Sequence, residues 1–462
     1  MARTRAMTLA EQIEPPPALP PRPDRALTTL QLWRTLQRNS LAAWDAELYE
    51  ELFVERRFAW GRLVIVSDPG GIRRVLQDNY QNYPRLGAIR RVFAFTSGTG
   101  MLCAEGDVWR RHRRIINPTL DPRAIAPDAT LIAETADEMA RALAAFPADR
   151  EFDLGATFSH LVTVSSRRVL ATDAPEIEPM LDRMGHFPLK PSLVHFVPLP
   201  RWLPLLRRYA SSRDAAARFA PMLDRLFAAR RGAAYGGRRD LFWRLTQPRD
   251  GAALGSAELR DEAITLGATS STTLRPLTWV WYLLATHPAV EERLVGELAA
   301  VLGGRAPGAE DLARLPYLRQ VLDETMRLYP PLPVMIPRRA TADDRVCGHA
   351  VRRGSIVLVM PWVLHRHRRL WRDPDRFDPD RFAEPEARAR SRYSYLPFGI
   401  GPHVCVGASL AMMQLVIAVA ILAQRFRFRL VPGQRIEPVA WINLRPRFGI
   451  RMTVEPRERG GS

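Results

Sequence analysis

From Cys405 to Gln424 the chain runs for 20 residues without an Asp, Glu, Lys or Arg. That length is close to what a bilayer-spanning helix needs. The run follows directly on the glycine-rich segment Phe398–Gly407, however, and it contains Ser409, Gln414 and Gln424. These features point to a helix wrapped by protein. A helix that is apolar all round belongs at the centre of a large core, and 462 residues can build one without disulfide staples. Hydrophobic residues at 47% and charged residues at 25% exclude wholesale disorder. The N-terminal stretch MARTRAMTLAEQIEPPPALPPRP holds no apolar segment of signal-peptide type. Three scattered cysteines (Cys103, Cys347 and Cys405) are too few for a disulfide framework or a zinc site and point to a reducing compartment. The expectation is a cytoplasmic protein with no membrane span.

Lys+Arg is 67 against Asp+Glu 49, a formal charge of +18, and Lys190 is the sole lysine. Such an excess permits an acidic partner and says nothing about fold. A nucleic-acid-binding role would rest on this charge alone, so no nucleic acid is expected.

Residues 1–25 form a proline-rich extension, in which Glu14–Pro23 reads as an extended polyproline tether on the surface. Residues 26–457 read as one globular domain and 458–462 as a tail. Leu63–Val66 and Arg425–Leu430 have the pattern of strands. Helical patterns cover 132–146, 258–286 with a kink at Pro276, 310–329 and 408–424. The fold class is mainly α with minor β. Phe187–Leu206 and Pro330–Pro337 read as apolar loops around a cavity, against the plainer alternative of ordinary core packing.

In Phe398-Gly-Ile-Gly-Pro-His-Val-Cys405-Val-Gly407, Gly399, Gly401 and Pro402 allow a tight backbone path, and Gly407 leaves room for a flat ligand. Cys405 precedes a helix N-terminus, whose amides favour a thiolate. A thiolate is one of the axial ligands of haem iron. Glu324 and Arg327 are i and i+3 on a helix that ends at Pro330-Pro331, and Arg381 in Phe377-Asp-Pro-Asp-Arg-Phe382 offers a third charge. Such a buried cluster specifies a fold more than it stabilises one. Trp109 and Arg113, in Gly106-Asp-Val-Trp109-Arg-Arg-His-Arg113-Arg114, share a helix face and suit a carboxylate.

In this order and spacing these elements resemble the cytochrome P450 family, the haem-thiolate monooxygenases, from about residue 60 to residue 455. The resemblance implies a single large domain with a long central helix across the haem and a small β region. It implies haem b with Cys405 as the metal ligand, and Glu324, Arg327 and Arg381 as the structural cluster behind it. Trp109, Arg113 and Arg338 (or Arg339) would hold the propionates, with Phe398, Gly399, Gly407 and Ala268 against the haem. His403 stands where the family usually has arginine, and could donate to a propionate with weaker, pH-dependent charge.

The family's central helix typically reads Ala-Gly-x-Asp/Glu-Thr. Anchored on Leu277-Thr-Trp279 and Leu284-Ala-Thr-His-Pro288, the matching stretch here is Ala268-Thr-Ser-Ser-Thr272. Thr272 then matches the alcohol, Ser271 replaces the acid and Thr269 replaces the glycine. Anchoring on Asp261-Glu-Ala-Ile-Thr265 instead nominates Thr273. Serine cannot relay protons as a carboxylate does, so delivery would use water or Thr269. Arg275-Pro276 is also unusual in mid-helix. Haem-thiolate peroxygenases carry an Arg-Pro pair on this helix, in place of the acid–alcohol pair; here it falls one turn later.

The resemblance implies oxygen insertion from O2 into a hydrophobic molecule such as a terpenoid, steroid, fatty acid or polyketide, in secondary metabolism. With no flavin or NAD fingerprint and no cysteines for an iron–sulfur cluster, electrons would come from an acidic ferredoxin, its reductase and NAD(P)H. That ferredoxin would dock near Arg110–Arg114 of a monomer. The alternatives are a peroxide-driven peroxygenase, a coupling or rearrangement enzyme, and a non-catalytic haem-binding protein. The expected pocket lining is Leu86–Leu102, Phe187–Leu206, Ala268–Thr272, Leu332–Ile336 and Val439–Leu444, with Phe93, Phe95, Phe196, Trp202 and Trp441 available.

Overall fold

A computed structural model describes residues 17–457 apart from 59–60, 88–89, 91–92, 94–96, 148, 186–206, 233–234 and 250; of residues 183–185, 207–216 and 269–271 only the backbone is described. The framework is helical: α1 (Thr29–Arg38), α2 (Gly106–Ile116), α3 (Ala129–Ala144), α4 (Leu154–Leu170), α5 (Ser256–Ser270), α6 (Leu274–Thr286), α7 (Pro288–Leu302), α8 (Pro316–Leu328) and α9 (Ala408–Arg425) carry the core. Strands β1 (Phe53–Phe58), β2 (Gly61–Val66), β3 (Phe152–Asp153), β4 (Arg338–Arg339), β5 (Ile356–Leu358), β6 (Phe426–Leu430), β7 (Pro438–Ala440), β8 (Leu444–Pro446) and β9 (Arg451–Pro456) form small sheets around it. This is the mainly helical, minor-β architecture expected.

Helix α9 is the uncharged run. Among the described residues it is the one helix long and apolar enough to cross a membrane. Met412–Ala423 are all buried inside the fold, where they pack against α3 and α7. Each fully buried Leu, Ile or Val there contributes about 1.5–3 kcal/mol of transfer free energy.

The expected helix 258–286 is two helices. Residues Ser271–Thr273 form a 3-10 turn between α5 and α6, and Pro276 lies in the first turn of α6. Proline has no N–H to offer the carbonyl four residues back, and its ring crowds that carbonyl. The disruption therefore falls ahead of Pro276 rather than at it. Likewise 310–329 divides into a 3-10 segment, Ala309–Arg314, and α8. Beyond the break α6 is apolar on every side: Trp279 stacks on Tyr329 at 3.9 Å and Trp281 lies 4.2 Å from Phe428.

The proline-rich segment also differs from a surface tether. Pro17 and Pro20 are buried, the Tyr329 hydroxyl donates to the Ala18 carbonyl at 3.0 Å, and Arg22 pairs with Asp375 at 2.7 Å. Proline-rich backbone keeps its carbonyls free to accept, so this end of the extension packs against the residue that ends α8.

The four-stranded sheet has the order β1-β2-β5-β4, with β2 and β5 parallel. Its edge strand β4 turns Arg338 inward and leaves Arg339 exposed. A second sheet joins β3, β9 and β6, and β7–β8 form a hairpin tied to the Pro-Pro turn by the Leu444 N–H to the Pro331 carbonyl at 3.0 Å.

Glu324, Arg327 and Arg381 do form one buried cluster. Arg327 donates twice to Glu324, at 2.6 and 2.8 Å, and Arg381 Nε donates to the same carboxylate at 3.1 Å. Arg327 also reaches the carbonyls of His365, Pro374 and Arg376, and Arg381 those of Arg372 and Asp373. Removing one partner leaves an unanswered charge, so Arg327→Ala is expected to cost about 3–5 kcal/mol. Loss of soluble yield and of haem uptake would register this, with Arg381→Lys milder.

His365 lies beside this cluster. Its Nε2 accepts the Leu396 N–H at 2.8 Å, and burial, then Arg327 and Arg366, hold its pKa well below the ordinary histidine value. The native state thus keeps it neutral while the unfolded chain protonates near pH 6.5. Its contribution is complete above that pH and is lost as pH falls below it. Between pH 7.0 and 5.5, His365→Gln should shrink the acid-induced loss of stability by about 1 kcal/mol, read from urea midpoints.

Candidate active site

The cysteine loop is held open by backbone that only glycine adopts easily. Gly399 and Gly401 have φ of 72° and 74°, and a Cβ on Gly401 would meet the Leu76 carbonyl at 2.1 Å. The loop closes through the Cys405 N–H to the Phe398 carbonyl at 2.8 Å. Phe398 packs on the core beneath it. A Cβ on Gly407 would stand 3.9 Å from Cys405 Sγ, an ordinary contact, so packing within the protein does not itself demand glycine there. Cys405 is exposed.

The sequence led us to expect a thiolate favoured by the helix N-terminus. The Gly407 N–H and the Arg113 charge do lower the Cys405 pKa, but with no metal bound, burial of the sulfur outweighs them and raises it. A metal bound here would itself favour the thiolate, since a coordinating thiol gives up its proton.

Beside the sulfur the structure gathers the predicted cation set. Trp109, buried on α2, lies with its ring 4.1 Å from that of His403, and Arg113 is half-buried one turn on. Arg338 is buried with its Nε lacking any partner, and burial, then Arg85, brings it down to about 10. Arg339 points away, so the buried position favours Arg338. His403 also departs from expectation. Burial, then Arg338, Arg85 and Arg113, brings its pKa down to about 2, so with no anion beside it the imidazole is neutral. Its Nδ1 is buried and unpartnered. Unanswered buried donors of this kind are costly, and together they fit the carboxylates of a haem.

Arg85 was missed by sequence reasoning. It is buried, pairs with Glu105 at 2.6 Å and donates to the carbonyls of Leu102 and Ala104. Those partners, one carboxylate and two backbone carbonyls, lie 17 to 20 residues away, so no local signal marks it. Another missed group, His112, is buried on α2 against Glu262 of α5 at 2.6 Å and locks the two helices together. Arg111, in the segment expected to dock a partner, is tied to Glu258 of α5.

Ala268 on α5 and Thr272 in the 3-10 turn after it are half-buried; the side chains of Thr269 and Ser271 lie outside the described residues, as do Phe95, Phe196 and Trp202. Thr273 is buried and lines a small cavity with Val162, Ser165, Leu277 and Gln414. It is therefore enclosed between helices, and the packing favours Thr272 as the alcohol. Trp441 donates to the Gln37 carbonyl at 3.1 Å, which turns its indole N–H towards α1.

Comparison with known proteins agrees with this geometry. The family Cytochrome P450 matches residues 20–443. Cytochrome P450 132 of Mycobacterium tuberculosis is 33% identical over 424 residues, covering 86% of this chain and 88% of the relative. Cyclooctat-9-en-7-ol 5-monooxygenase of Streptomyces melanosporofaciens is 32% identical over 398 residues, covering 82% and 83%. The crystal structure of the cytochrome P450DA heme domain superposes with a TM-score of 0.77 at 19% identity, over 96% of this chain and 99% of that one. The chain belongs to the cytochrome P450 family and is a haem-thiolate monooxygenase of bacterial type.

Cys405→Ala should abolish the red-shifted Soret band of the reduced protein under carbon monoxide while leaving the fold intact by circular dichroism. Retention of the band would assign the thiolate elsewhere.

Proposed function

We propose that this monooxygenase inserts one oxygen atom from O2 into a terpenoid-like apolar molecule of secondary metabolism. The observation that carries this is the Streptomyces relative, named for oxidation of cyclooctat-9-en-7-ol and similar over 82% of this chain. Largely apolar segments around the site, such as Leu332–Ile336 and Val439–Leu444, suit the same substrates. A steroid, fatty acid or polyketide would suit the lining alone.

Haem b, when bound, supplies the activation of oxygen and its transfer to a C–H bond. Within the chain, Cys405 Sγ would bind the haem iron, and Trp109, Arg113, Arg338 and His403 would hold its propionates. Gly399, Gly407 and Ala268 leave room for the ring. The Thr272 hydroxyl, with water and Thr269, holds and passes protons on the oxygen side, because Ser271 stands where the family has an acid. Glu324, Arg327 and Arg381 position the cysteine loop. A peroxide-driven reaction is the second reading, favoured by that same serine.

Electrons come from an acidic ferredoxin with its NAD(P)H-dependent reductase, docking on a cytoplasmic monomer near Arg110 and Arg114. Both are exposed, and a groove lined by Gln77, Arg392, Ile400 and Pro402 opens beside the cysteine loop. Reversing Arg110 and Arg114 to Glu should raise the apparent KM for ferredoxin several-fold without moving the carbon monoxide spectrum; an unchanged reduction rate would remove this docking site.

The substrate reading is tested by optical titration of the ferric protein with terpenoids, steroids, fatty acids and polyketides. A low-to-high-spin shift with terpenoids alone is the expected result. A shift confined to another class would replace it, and turnover faster with peroxide than with reductase would favour the second reading.

A further inference from the structure

One buried carboxylate on α5, Glu262, is shared between helix α2 and the segment that leads into it. Its Oε1 accepts the Met101 N–H at 2.7 Å and lies 2.6 Å from His112 Nδ1, while its Oε2 is buried with no partner. One residue earlier, Asp261 Oδ2 accepts both the N–H and the hydroxyl of Thr99, at 2.7 and 2.9 Å. Residues 97–101 are thus tied to the oxygen-side helix by two adjacent acids. The approach is close enough to demand glycine. A Cβ on Gly98, where φ is 51°, would overlap the Asp261 carboxylate, and one on Gly100 would meet the Asp261 carbonyl at 2.9 Å. The segment's own backbone bonds are local, such as the Gly100 N–H to the Ser97 carbonyl at 2.8 Å. Its other end reaches the propionate cradle, where Arg85 donates to the Met101 and Leu102 carbonyls at 3.2 and 2.8 Å. It therefore spans the gap between α5 and that cradle.

His112 sits at the joint and can hold two states. Its Nε2 lies between an acceptor, Glu258 Oε1 at 3.3 Å, and a donor, Arg111 Nη2 at 3.4 Å. Protonated, the ring donates to Glu262 and Glu258 together; neutral, it keeps one donor and turns a lone pair towards Arg111. Arg111 itself pairs with Glu258. With the proton in place, two cations face two carboxylates. Without it, buried Glu262 loses its counter-charge. Burial pulls the His112 pKa down, but Glu262 and Glu258 outweigh it and hold the value above the ordinary one. The remaining groups around the joint are Asp261, engaged by Thr99, and Arg85 and Arg90, which hold carbonyls of residues 101–104. Cys103, pushed up to about 12 by burial, stays neutral.

We propose that residues 97–101 are a movable wall of the haem site, latched to α5 by Asp261 and Glu262, and that the proton on His112 sets how firmly the latch holds. The closed wall binds this proton more tightly than the open one, so closure is complete below about pH 6.5 and loosens as pH rises and His112 is deprotonated. The inference goes beyond the proposed function. It rests on that reading's placement of the haem between α5 and the cradle, and not on the class of substrate.

The test is hydrogen–deuterium exchange of the haem-loaded protein at pH 6.0 and 8.5, corrected for the intrinsic amide rates. Protection of a peptide covering residues 97–104 should fall about fivefold or more between the two, while a peptide from α9 stays constant. Association of tert-butyl isocyanide, an uncharged haem ligand, with the reduced protein should speed up over the same interval. His112→Gln can still donate to Glu262 but takes up no proton, so both pH effects should vanish. Glu262→Gln keeps an acceptor for Met101 and should likewise flatten them. Asp261→Asn should loosen the segment at both pH values and keep the dependence. Parent protection that does not change with pH overturns the latch even if no variant folds, and so does a parent-like dependence in His112→Gln or Glu262→Gln. A change in exchange with an unaltered isocyanide rate removes the segment from the entry route and overturns its role as a wall. A parent without the red-shifted carbon monoxide band sinks the haem-site reading instead, while the exchange profile still reads the latch.

Discussion

One carboxylate, Glu324, shared between Arg327 and Arg381, determines where the cysteine loop can lie. Arg327 spends its remaining donors on the carbonyls of His365, Pro374 and Arg376, which fixes the meander that precedes the loop. His365 in turn accepts the Leu396 N–H, and Tyr395 donates to the Asp323 carbonyl on the same helix at 2.8 Å. Two residues later Phe398 opens the loop. Helix α8 therefore holds the approach to Cys405 at two points, one through a charge and one through a phenol. The ion cluster has no contact with reacting atoms, and its value lies in the single arrangement it permits: any other packing of the meander strands a charge in the interior.

The formal charge of +18 invites a reading in terms of partners, and the structure shows how much of it is internal. Arg85, Arg327, Arg338, Arg366 and Arg381 are all buried. Some carry loops by donating to backbone carbonyls, as a planar group with five donors can. Arg366 lies 3.7 Å over the Trp362 ring and donates to the Leu328 carbonyl. Others, near Cys405, are left short of anions. On α2 the same economy appears: Trp109 is buried, Arg113 is half-buried, Arg111 is engaged by α5, and of the two exposed arginines Arg110 is paired with Asp107, which leaves Arg114. Net charge measured along the chain thus overstates the field available to a docking partner.

The parts legible in sequence were those whose chemistry is local. The glycines of the cysteine loop announce positive φ, the Glu-x-x-Arg spacing announces a pair on one helix face, and the uncharged run of α9 announces burial. What was not legible depends on partners distant in the chain. Arg85 looks like any surface arginine until the carbonyls of residues 101–104 fold over it. His403 reads as a titrating donor until three arginines and burial remove its proton. Cys405 reads as a thiolate by its position before a helix, yet desolvation outweighs the helix end because the sulfur is packed on the protein side. In each case the sign of an electrostatic effect changed with burial, which no spacing rule reports.

The central helix shows the same limit in backbone form. Its residues suggest one long element bent at Pro276, whereas the chain places a 3-10 turn over Ser271–Thr273 and restarts. A missing N–H disturbs the turn before it, so the disruption lands on the residues matched to oxygen handling. That turn also separates two neighbouring hydroxyls, leaving Thr272 half-buried and burying Thr273 against Gln414 and Ser165. Proline at 276 therefore acts at a distance of one turn: it shapes the segment carrying Ser271 and Thr272, so the departure from the family's acid–alcohol sequence lies within the helix break itself.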